Sequence, residues 1–423
     1  MKKQSLVALA SLLTTGVFAQ QEPIQFTAKG IVVLSDADMA ASALVDGNLY
    51  KSKTSRDALT VVKFPLDRTG QNITTAPISN SSALYDKAAV VTPNGRFAYV
   101  LEGRGQLGDS VSTLKGGVKE LPAAARMFIV DLAPAKPTAK VVSVGNLPTA
   151  ITINPQGNTL AVASGDAGKE MRLVEIDNTG TPKRVITAPS PVPGARISDL
   201  VWSPAGNFIA YVIEDTQEVG VMKYSLDAAK KPNIIPHGKP IKVGGLPATG
   251  KFSPDGKFFI VSDIKKGANA QGAGKGELFV VQFSTEDTPG EHKVVSQTAS
   301  GEGAEALTIS PDGSMVIVAN SGQSYQPFGN AGAGKSSLSV YALDKEGKLT
   351  LANEYPFEGI LPQSVEFDKS GNAIAVAVSE YLDYGDRSGG IEFWKVTKGD
   401  KPSLEKMPGK ISVARGSHTV RVF

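Results

Sequence analysis

Apolar and polar residues alternate along most of this chain in short runs separated by turn residues, a pattern that predicts β-strands rather than helices. The clearest example is Phe252–Asp263, in which two apolar segments flank the tetrapeptide Ser-Pro-Asp-Gly. In this tetrapeptide Pro restricts φ, Asp hydrogen-bonds its own backbone and Gly accepts a positive φ. The segment therefore predicts two neighbouring strands joined by a tight turn.

The same turn recurs along the chain. Similar tetrapeptides occur at Thr92–Gly95, Asn154–Gly157, Ser203–Gly206, Ser310–Gly313 and, in degenerate form, Asp368–Gly371. The six turn glycines are separated by 62, 49, 50, 57 and 58 residues. A four-stranded sheet repeated at such intervals is typical of a propeller blade.

Seven strongly alternating segments follow as predicted third strands: Leu59–Phe64, Met127–Leu132, Met171–Ile176, Val219–Leu226, Glu277–Phe283, Ser337–Leu343 and Ile391–Val396. Only six turns precede them, so one blade lacks its innermost strand. Ser417–Phe423 has the pattern of such a strand and is predicted to pair with Gly30–Leu34. We therefore predict an all-β fold: a single seven-bladed β-propeller over residues 20–423, with four-stranded antiparallel blades and a ring closed by the N- and C-terminal strands.

The N-terminus has the features of a secretory signal. Two lysines follow Met1, an apolar run covers Leu6–Leu13, and small residues precede Ala19. We expect cleavage after Ala19 and export to a periplasm or to the cell exterior. The apolar run is too short to span a bilayer, and no second one follows, so no membrane span is expected.

Composition limits the chemistry further. The net charge is +3 without a dense run of Lys or Arg, which makes a nucleic-acid partner unexpected. The chain has no cysteine, which excludes thiol nucleophiles and Cys-ligated zinc. His237 and His292 lie outside the predicted channel positions, so a three-histidine metal centre and a resident cofactor are not expected either.

Aligning the turns predicts which residues meet at the mouth of the central channel. Five positions before each turn, in blade order, stand His418, Lys87, Thr149, Ser198, Ala248, Glu305 and Gln363. Glu305, Gln363, His418 and Lys87 form a continuous polar arc, and the opposite side of the ring is small. This asymmetry predicts space for a small polar ligand facing the arc.

A second ring is predicted at the ends of the second strands, seven residues after the turn glycine: Glu102, Ser164, Asp263 and Asn320. Carboxylates beside Lys and His in a low-dielectric funnel are suited to acid–base chemistry. Polar residues also line water-filled channels without any catalytic role, so both interpretations stay open. A divalent cation held by Glu102, Asp263 and Glu305 is a weaker alternative.

Five long loops are predicted on one face of the ring: 37–58, 103–126, 264–276, 321–336 and 381–390. Loops of this length are usually functional, although decoration of a tolerant surface is the alternative. One of them contains Gly329–Ser336, which fits the letters of a phosphate-binding P-loop. Because a β-pattern follows instead of a helix, we interpret it as a glycine loop without nucleotide binding.

The blade sequences Leu147–Gly157, Leu246–Gly256 and Val318–Asn320 resemble the seven-bladed lactonase-like propeller superfamily, of the 6-phosphogluconolactonase and carboxymuconate-cyclase type. The resemblance implies a site in the central funnel, on the face of the long loops, where acid, histidine and arginine groups handle a lactone. Glu305 and His418 occupy suitable ring positions, and Arg104 and Arg387 lie in adjacent loops.

Two functional hypotheses follow. In the first, an exported lactonase-like propeller binds a small polar ligand and hydrolyses or forms a lactone: Glu305 positions or deprotonates water, and His418 and Lys87 stabilise the oxyanion. In the second, the propeller is a non-catalytic scaffold whose loops bind a protein or a polysaccharide. Tyrosine-containing loop segments support the second hypothesis: Leu49–Tyr50, Tyr325–Phe328 and Tyr381–Tyr384.

Overall fold

Seven four-stranded antiparallel sheets make up the chain in a computed structural model, which describes residues 24–423 except 53–54, 67–68, 265–274, 287, 289, 328, 331 and 383–386. The first three blades contain β1 (Gly30–Ser35), β2 (Ala58–Lys63), β3 (Ile73–Ala76), β4 (Ala89–Val91), β5 (Phe97–Arg104), β6 (Ala123–Asp131), β7 (Thr138–Ser143), β8 (Ala150–Ile153), β9 (Thr159–Ala163), β10 (Met171–Ile176) and β11 (Pro182–Thr187).

The next two blades contain β12 (Ile197–Trp202), β13 (Phe208–Ile213), β14 (Glu218–Leu226), β15 (Pro232–Lys242), β16 (Pro247–Phe252), β17 (Phe259–Asp263), β18 (Lys275–Gln282) and β19 (Lys293–Glu302). The last blades contain β20 (Ala304–Ile309), β21 (Met315–Asn320), β22 (Ser336–Leu343), β23 (Leu349–Phe357), β24 (Ile360–Phe367), β25 (Ala373–Glu380), β26 (Gly389–Thr397) and β27 (Ser403–Val413), and β28 (Ser417–Val422) completes the first blade. One short helix, α1 (Ala43–Asp46), and two 3-10 helices, Ser82–Lys87 and Gly117–Glu120, lie in the connections that the structure describes.

The predicted ring closure is confirmed. Strand β28 pairs antiparallel with β1, with Val420 opposite Val33 and Val422 opposite Ile31. Phe423 extends the ladder, because its backbone N–H donates to the carbonyl of Gly30 at 3.0 Å and its own carbonyl accepts from Lys29 at 2.9 Å. The C-terminal strand therefore gives the first blade its innermost strand and removes the exposed edge that β1 would otherwise present.

The Ser-Pro-Asp-Gly turns form for the expected physical reasons. In the fifth blade the N–H of Gly256 donates to the carbonyl of Ser253 at 2.8 Å, with a φ of 73° at the glycine. The Asp255 carboxylate accepts from the Ser253 hydroxyl at 2.5 Å and from the backbone N–H of Lys257 at 3.0 Å. These local bonds fix the register of β16 against β17 and so fix which residues reach the channel.

The hydrophobic core is divided among the interfaces between neighbouring blades. Blades five and six, for example, share a cluster in which Ile260 and Val280 of one sheet pack with Val316 and Val318 of the next. Each sheet is therefore buried on both faces, which explains why its second and third strands are nearly continuous in Val, Ile, Ala and Leu.

The long-loop face has a small core of its own. Met39, Ala43 and Leu49 of the loop after β1 pack against Leu114 and Leu121 of the loop after β5. These two loops form a packed layer over one end of the propeller. In the Gly329–Ser336 segment the described residues form no helix and lead directly into β22, which agrees with a glycine loop.

Part of the export prediction falls outside the described residues, because these begin at residue 24 and the predicted signal covers residues 1–19. Among the described residues, no helix has the length and apolar character needed to cross a bilayer.

Candidate functional site

The central channel is lined by the innermost strands β4, β8, β12, β16, β20, β24 and β28, and two lysines cross it. The Lys87 ammonium, from blade two, donates to the carbonyl of Ala248 in blade five at 3.1 Å. In the other direction Lys251 of blade five lies 3.3 Å from Glu366 and 3.8 Å from Asp86. These spanning side chains divide the channel, and we refer to its part on the long-loop side as the funnel.

Below the funnel lies a channel ion network made of Asp86, Lys251, Glu366 and Arg421. The Arg421 guanidinium is 2.6 Å from Asp86 and 3.3 Å from Glu366, and it also donates to the carbonyl of Ala89 at 2.8 Å. Asp86 is almost fully buried. Two anions and two cations thus neutralise one another in a site with little water.

Sequence reasoning missed this network although a signal was present. Lys251 and Glu366 each stand two positions before their turns, three residues after their ring positions, and Arg421 likewise stands three residues after the ring position of His418. Asp86 has no such signal, because it lies in the 3-10 helix Ser82–Lys87 before a three-residue β4. The ring position predicted for Lys87 likewise belongs to this helix and not to a strand, because the helix continues up to Lys87 and β4 begins only at Ala89.

Tyr85 stands at the entrance to this site in a strained conformation. Its φ of 51° and ψ of −138° are values that only glycine adopts readily, and such strain costs about 1–3 kcal/mol. Burial raises the pKa of the Tyr85 hydroxyl above its usual range, and the carboxylates of Glu305 and Glu214 raise it further. Lys87 lies over its ring, 5.6 Å from the centroid. No sequence pattern predicts this role for Tyr85.

Glu305 and Gln363, neighbours in the predicted ring, contact each other. The Gln363 amide nitrogen donates to the Glu305 carboxylate at 3.4 Å, and Glu305 is 8% exposed. The Gln363 side-chain oxygen is buried and has no hydrogen-bond partner among the described residues. Burial raises the pKa of the Tyr325 hydroxyl to about 12, and the nearby Glu305 carboxylate contributes to this increase. A carboxylate and several hydrogen-bonding groups therefore converge here.

His418 lies beside this group but is completely enclosed. Its Nε2 contacts Asn80 Oδ1 at 2.7 Å, and its Nδ1 lies 3.0 Å from both Thr419 Oγ1 and the Tyr85 carbonyl. The Asn80 amide nitrogen donates to the carbonyls of Ser35 and Ile78, which leaves Oδ1 as an acceptor and assigns the proton to Nε2. Burial lowers the pKa of His418, which favours this neutral form. The structure therefore places His418 against the strained backbone of Tyr85, behind the funnel wall.

The other predicted residues of the first ring bond to protein groups. The Thr149 hydroxyl donates to the carbonyl of Ile197 at 2.6 Å, and the Ser198 hydroxyl donates to that of Val212 at 3.1 Å. Burial lowers the pKa of the Lys87 ammonium, although Asp199 acts in the opposite direction. Lys87 thus reaches across the funnel floor, while Thr149 and Ser198 tie neighbouring strands together.

The predicted second ring is enclosed in the blades. Glu102 is fully buried and forms an ion pair with Arg126, Asp263 accepts from the backbone N–H groups of Gly245 and Leu246, and Asn320 donates to two serine hydroxyls. A role for these residues in ligand binding stays a prediction. As placed, they satisfy backbone and side-chain groups within their own sheets.

The two loop arginines lie in different surroundings. Arg104 donates to the carbonyl of Leu121 at 3.0 Å and so secures the loop after β5. The Arg387 guanidinium lies 3.8 Å from the Glu380 carboxylate and 5.0 Å from the centre of the Tyr50 ring, with 39% of its side chain exposed. Arg387 is therefore accessible from solvent on the long-loop face.

A group of three carboxylates lies away from the predicted cation set. Within the described part of the chain, Asp36, Asp38 and Asp57 alone bring three potential metal-ligating oxygens within 4.8 Å of one another. Burial and the neighbouring Asp36 raise the pKa of Asp57 to about 8. Asp57 also accepts from the N–H of Ala37 at 3.0 Å, so the cluster already has protein partners. The divalent-cation alternative at Glu102, Asp263 and Glu305 stays a prediction.

Comparison with known proteins agrees with this architecture. Residues 52–380 match the family model described as lactonase, seven-bladed beta-propeller. The chain belongs to the seven-bladed lactonase family. No curated protein is significantly similar to it in sequence.

Solved structures of similar fold cover nearly the whole chain. A candidate 6-phosphogluconolactonase from Bacteroides fragilis is 14% identical with a TM-score of 0.59, covering 93% of this chain and 98% of its own. The periplasmic gluconolactonase of Pseudomonas aeruginosa is 15% identical with a TM-score of 0.56, and the match covers 93% of this chain and 99% of the gluconolactonase chain. A functionally unknown protein from Desulfotomaculum acetoxidans is 12% identical with a TM-score of 0.58, and the match covers 93% of this chain and 98% of that protein's chain. At these identities the family member described here shares their fold, and its chemistry must be argued from its own residues.

Proposed function

We propose that this lactonase-family propeller is exported, binds a small polar lactone in the funnel above the channel ion network, and hydrolyses it there. The proposal rests on the buried Glu305 carboxylate, which accepts a hydrogen bond from the Gln363 amide at 3.4 Å. In this proposal Glu305 faces the funnel above the two spanning lysines. The family match supports a lactone as the ligand class.

In the proposed reaction Glu305 accepts a proton from water while the water oxygen attacks the lactone carbonyl carbon. The bond between the carbonyl carbon and the ring oxygen then breaks, and the ring oxygen takes up the proton from Glu305, which gives the open hydroxy acid and restores the carboxylate. Lys87 and the Tyr85 hydroxyl lie on the same floor and can donate to the oxygen that becomes negative. Run in reverse, the same steps close a hydroxy acid to its lactone.

His418 has a positioning role in this proposal. Its enclosed, neutral ring donates from Nε2 to Asn80 Oδ1, and the adjacent Thr419 hydroxyl donates to the Tyr85 carbonyl at 3.0 Å. We propose that these contacts hold the strained Tyr85 backbone, and with it the Tyr85 ring, in the orientation seen at the funnel mouth. The sequence-based hypothesis that His418 contacts the oxyanion directly would require these bonds to rearrange.

The test is hydrolysis of glucono-δ-lactone by the Glu305→Gln variant, followed by proton release in a pH-stat at about pH 6, where spontaneous opening is slow. We expect kcat to fall by about 100-fold or more, since proton transfer contributes about 10²–10⁴-fold. Glu175→Gln is the matched control, because Glu175 forms an exposed ion pair with Arg184 on an outer part of blade three. An unchanged rate for Glu305→Gln, with both variants folded, would end the catalytic assignment.

A non-catalytic scaffold is the second candidate. Several large apolar side chains are exposed on loops of the long-loop face, with Leu44 43%, Val45 45%, Tyr50 52% and Leu382 64% exposed. A protein or polysaccharide bound through these loops would be the function if no lactone is turned over. Export is checked separately: the mature protein isolated from its native host should begin at Gln20 by intact-mass measurement, and a retained Met1 would contradict export.

A further inference from the structure

A cleft of about 690 Å³ lies on the long-loop face, beside the funnel and not in it. Loops of blades six, seven and one form its walls, and its lining includes Tyr50, Tyr325, Tyr381, Glu380 and Arg387. Clefts that hold drug-sized ligands have volumes of about 300–1,000 Å³. The cleft is therefore large enough for a ligand of several ring systems.

The inner wall of the cleft runs directly to the proposed catalytic group. Ile360, which lines the cleft, is the first residue of β24 and pairs with Glu380 at the end of β25. Three residues later along β24 stands Gln363, which contacts Glu305. Tyr325 lines the same cleft and is electrostatically coupled to Glu305. Only Leu361 and Pro362 of β24 separate the lining residue Ile360 from Gln363.

Charges in the cleft are largely cancelled by partners. Arg387 faces Glu380 at 3.8 Å, and Lys335 forms an ion pair with Glu358. The lining has three carboxylates, Asp46, Glu358 and Glu380, and two cations, so its formal charge is only −1 and most of its charges are paired beside aromatic rings. Planar carboxylates and guanidinium groups bind vicinal hydroxyls in pairs, and aromatic faces receive apolar C–H faces, so this surface suits a neutral polyhydroxylated ring.

The backbone supports a built site and not an incidental gap. Tyr50 has a φ of 46°, and Leu361, next to the lining residue Ile360, has a φ of 54°. A non-glycine residue in this region is strained and persists where the surroundings impose it, as at binding sites. Leu361 is held by its N–H, which donates to the Ser324 hydroxyl at 2.9 Å. The Ser42 hydroxyl, also in the lining, is buried without a hydrogen-bond partner among the described residues.

We infer that the cleft is a glycan subsite, and that the substrate is an oligosaccharide ending in an aldonolactone rather than a free monosaccharide lactone. The terminal lactone ring would lie at Glu305, and the attached sugar rings would lie in the cleft between Tyr50 and Tyr325. This inference rests on the proposed lactone hydrolysis for its reactive end, and on the cleft alone for its sugar-binding end.

The kinetic test compares glucono-δ-lactone with cellobiono- and maltobiono-lactone in the wild type and in Tyr50→Ala. We expect the wild type to prefer at least one disaccharide lactone, and the ratio of kcat/KM for that substrate over gluconolactone to fall about tenfold in Tyr50→Ala, as expected for one lost stacking contact. Leu226→Ala is the control, because Leu226 is 54% exposed against 52% for Tyr50 and lies at the end of β14 in blade four. No preference for either disaccharide lactone, or an unchanged ratio in Tyr50→Ala, would overturn the inference.

A binding test separates failure of the cleft from failure of the catalytic proposal. Cellotriose and maltotriose contain no lactone, so their titration by calorimetry reports on the cleft even if no lactone is hydrolysed. Binding of either trisaccharide that is lost in Tyr50→Ala and retained in Leu226→Ala supports the subsite. Absence of binding by both trisaccharides overturns it, whereas absence of lactone turnover with trisaccharide binding intact counts only against the proposed hydrolysis.

Discussion

Removing the negative charge of Asp86 tests how the channel is held together. Asp86 is 2% exposed and accepts from Arg421 at 2.6 Å and from the hydroxyl of Ser364, with Lys251 at 3.8 Å. In Asp86→Asn, Arg421 and Lys251 lose one of the two carboxylates that they contact and retain Glu366, with the buried Asp199 nearby. Breaking a buried ion pair by removing one partner costs about 3–5 kcal/mol, because the remaining charge is uncompensated.

This free-energy cost corresponds to a decrease in the melting temperature, Tm. With an unfolding entropy of about 2.1 cal/mol/K per residue over about 400 folded residues, each 1 kcal/mol lowers Tm by about 1.2 °C. We therefore expect Asp86→Asn to melt about 4–6 °C below the wild type by differential scanning calorimetry at pH 7. Glu175→Gln, which breaks the exposed pair with Arg184, should lower Tm by about 1 °C or less.

A double variant makes the reasoning falsifiable. In Asp86→Asn with Arg421→Gln, a carboxylate and a guanidinium are removed together, so the network regains its charge balance. We expect the combined loss of Tm to be smaller than the sum of the two single losses. If Asp86→Asn melts within 1 °C of the wild type, or if the two losses simply add, the network does not act as one charge-compensated unit.

Two further predictions concern stability. Because burial raises the pKa of Asp57 to about 8 from 3.8, the folded chain binds a proton that the unfolded chain has released, and the free energy of unfolding should fall between about pH 4 and pH 8. In denaturant titrations, Asp57→Asn should reduce this decrease in the free energy of unfolding. Asp312→Asn should not, since hydrogen bonds hold the pKa of Asp312 below its usual range despite burial. An equal dependence on pH in Asp57→Asn and the wild type would contradict this prediction. Phe423→Ala should cost about 3–5 kcal/mol in the same titrations, because the ring packs in the core shared by the first blades, and a cost like that of the exposed control Leu226→Ala would argue against the closure.

The blades were predictable because their signals are local. A Ser-Pro-Asp-Gly turn between two alternating segments defines a strand pair without reference to the rest of the chain, and the seven alternating third strands give the number of blades. The pairing of Val420 with Val33 could also be predicted, since an innermost strand without a turn requires a partner at the other end of the ring. Position along a strand then places Glu305 next to Gln363, because both stand five residues before their turns.

The surroundings of the candidate site were not predictable in the same way. Tyr85 and Asp86 lie in the kinked connection before β4, in which Tyr85 is non-helical and no repeat can be aligned. His418 is enclosed because Asn80, from the same connection, contacts its ring. The crossing of Lys87 to blade five depends on how wide the closed ring is, which no local segment encodes.

The sequence by itself therefore determined the all-β class, the seven blades, their turns and the closure, since each rests on periodicity within about 60 residues or on the need to pair a strand. Only the tertiary structure decided which polar residues meet at the channel, which are neutralised within it, and that loops of blades six, seven and one enclose a cleft. The physical reason is that strand pairing is specified by neighbours in sequence, whereas charge compensation and cavity shape arise among side chains contributed by up to five different blades.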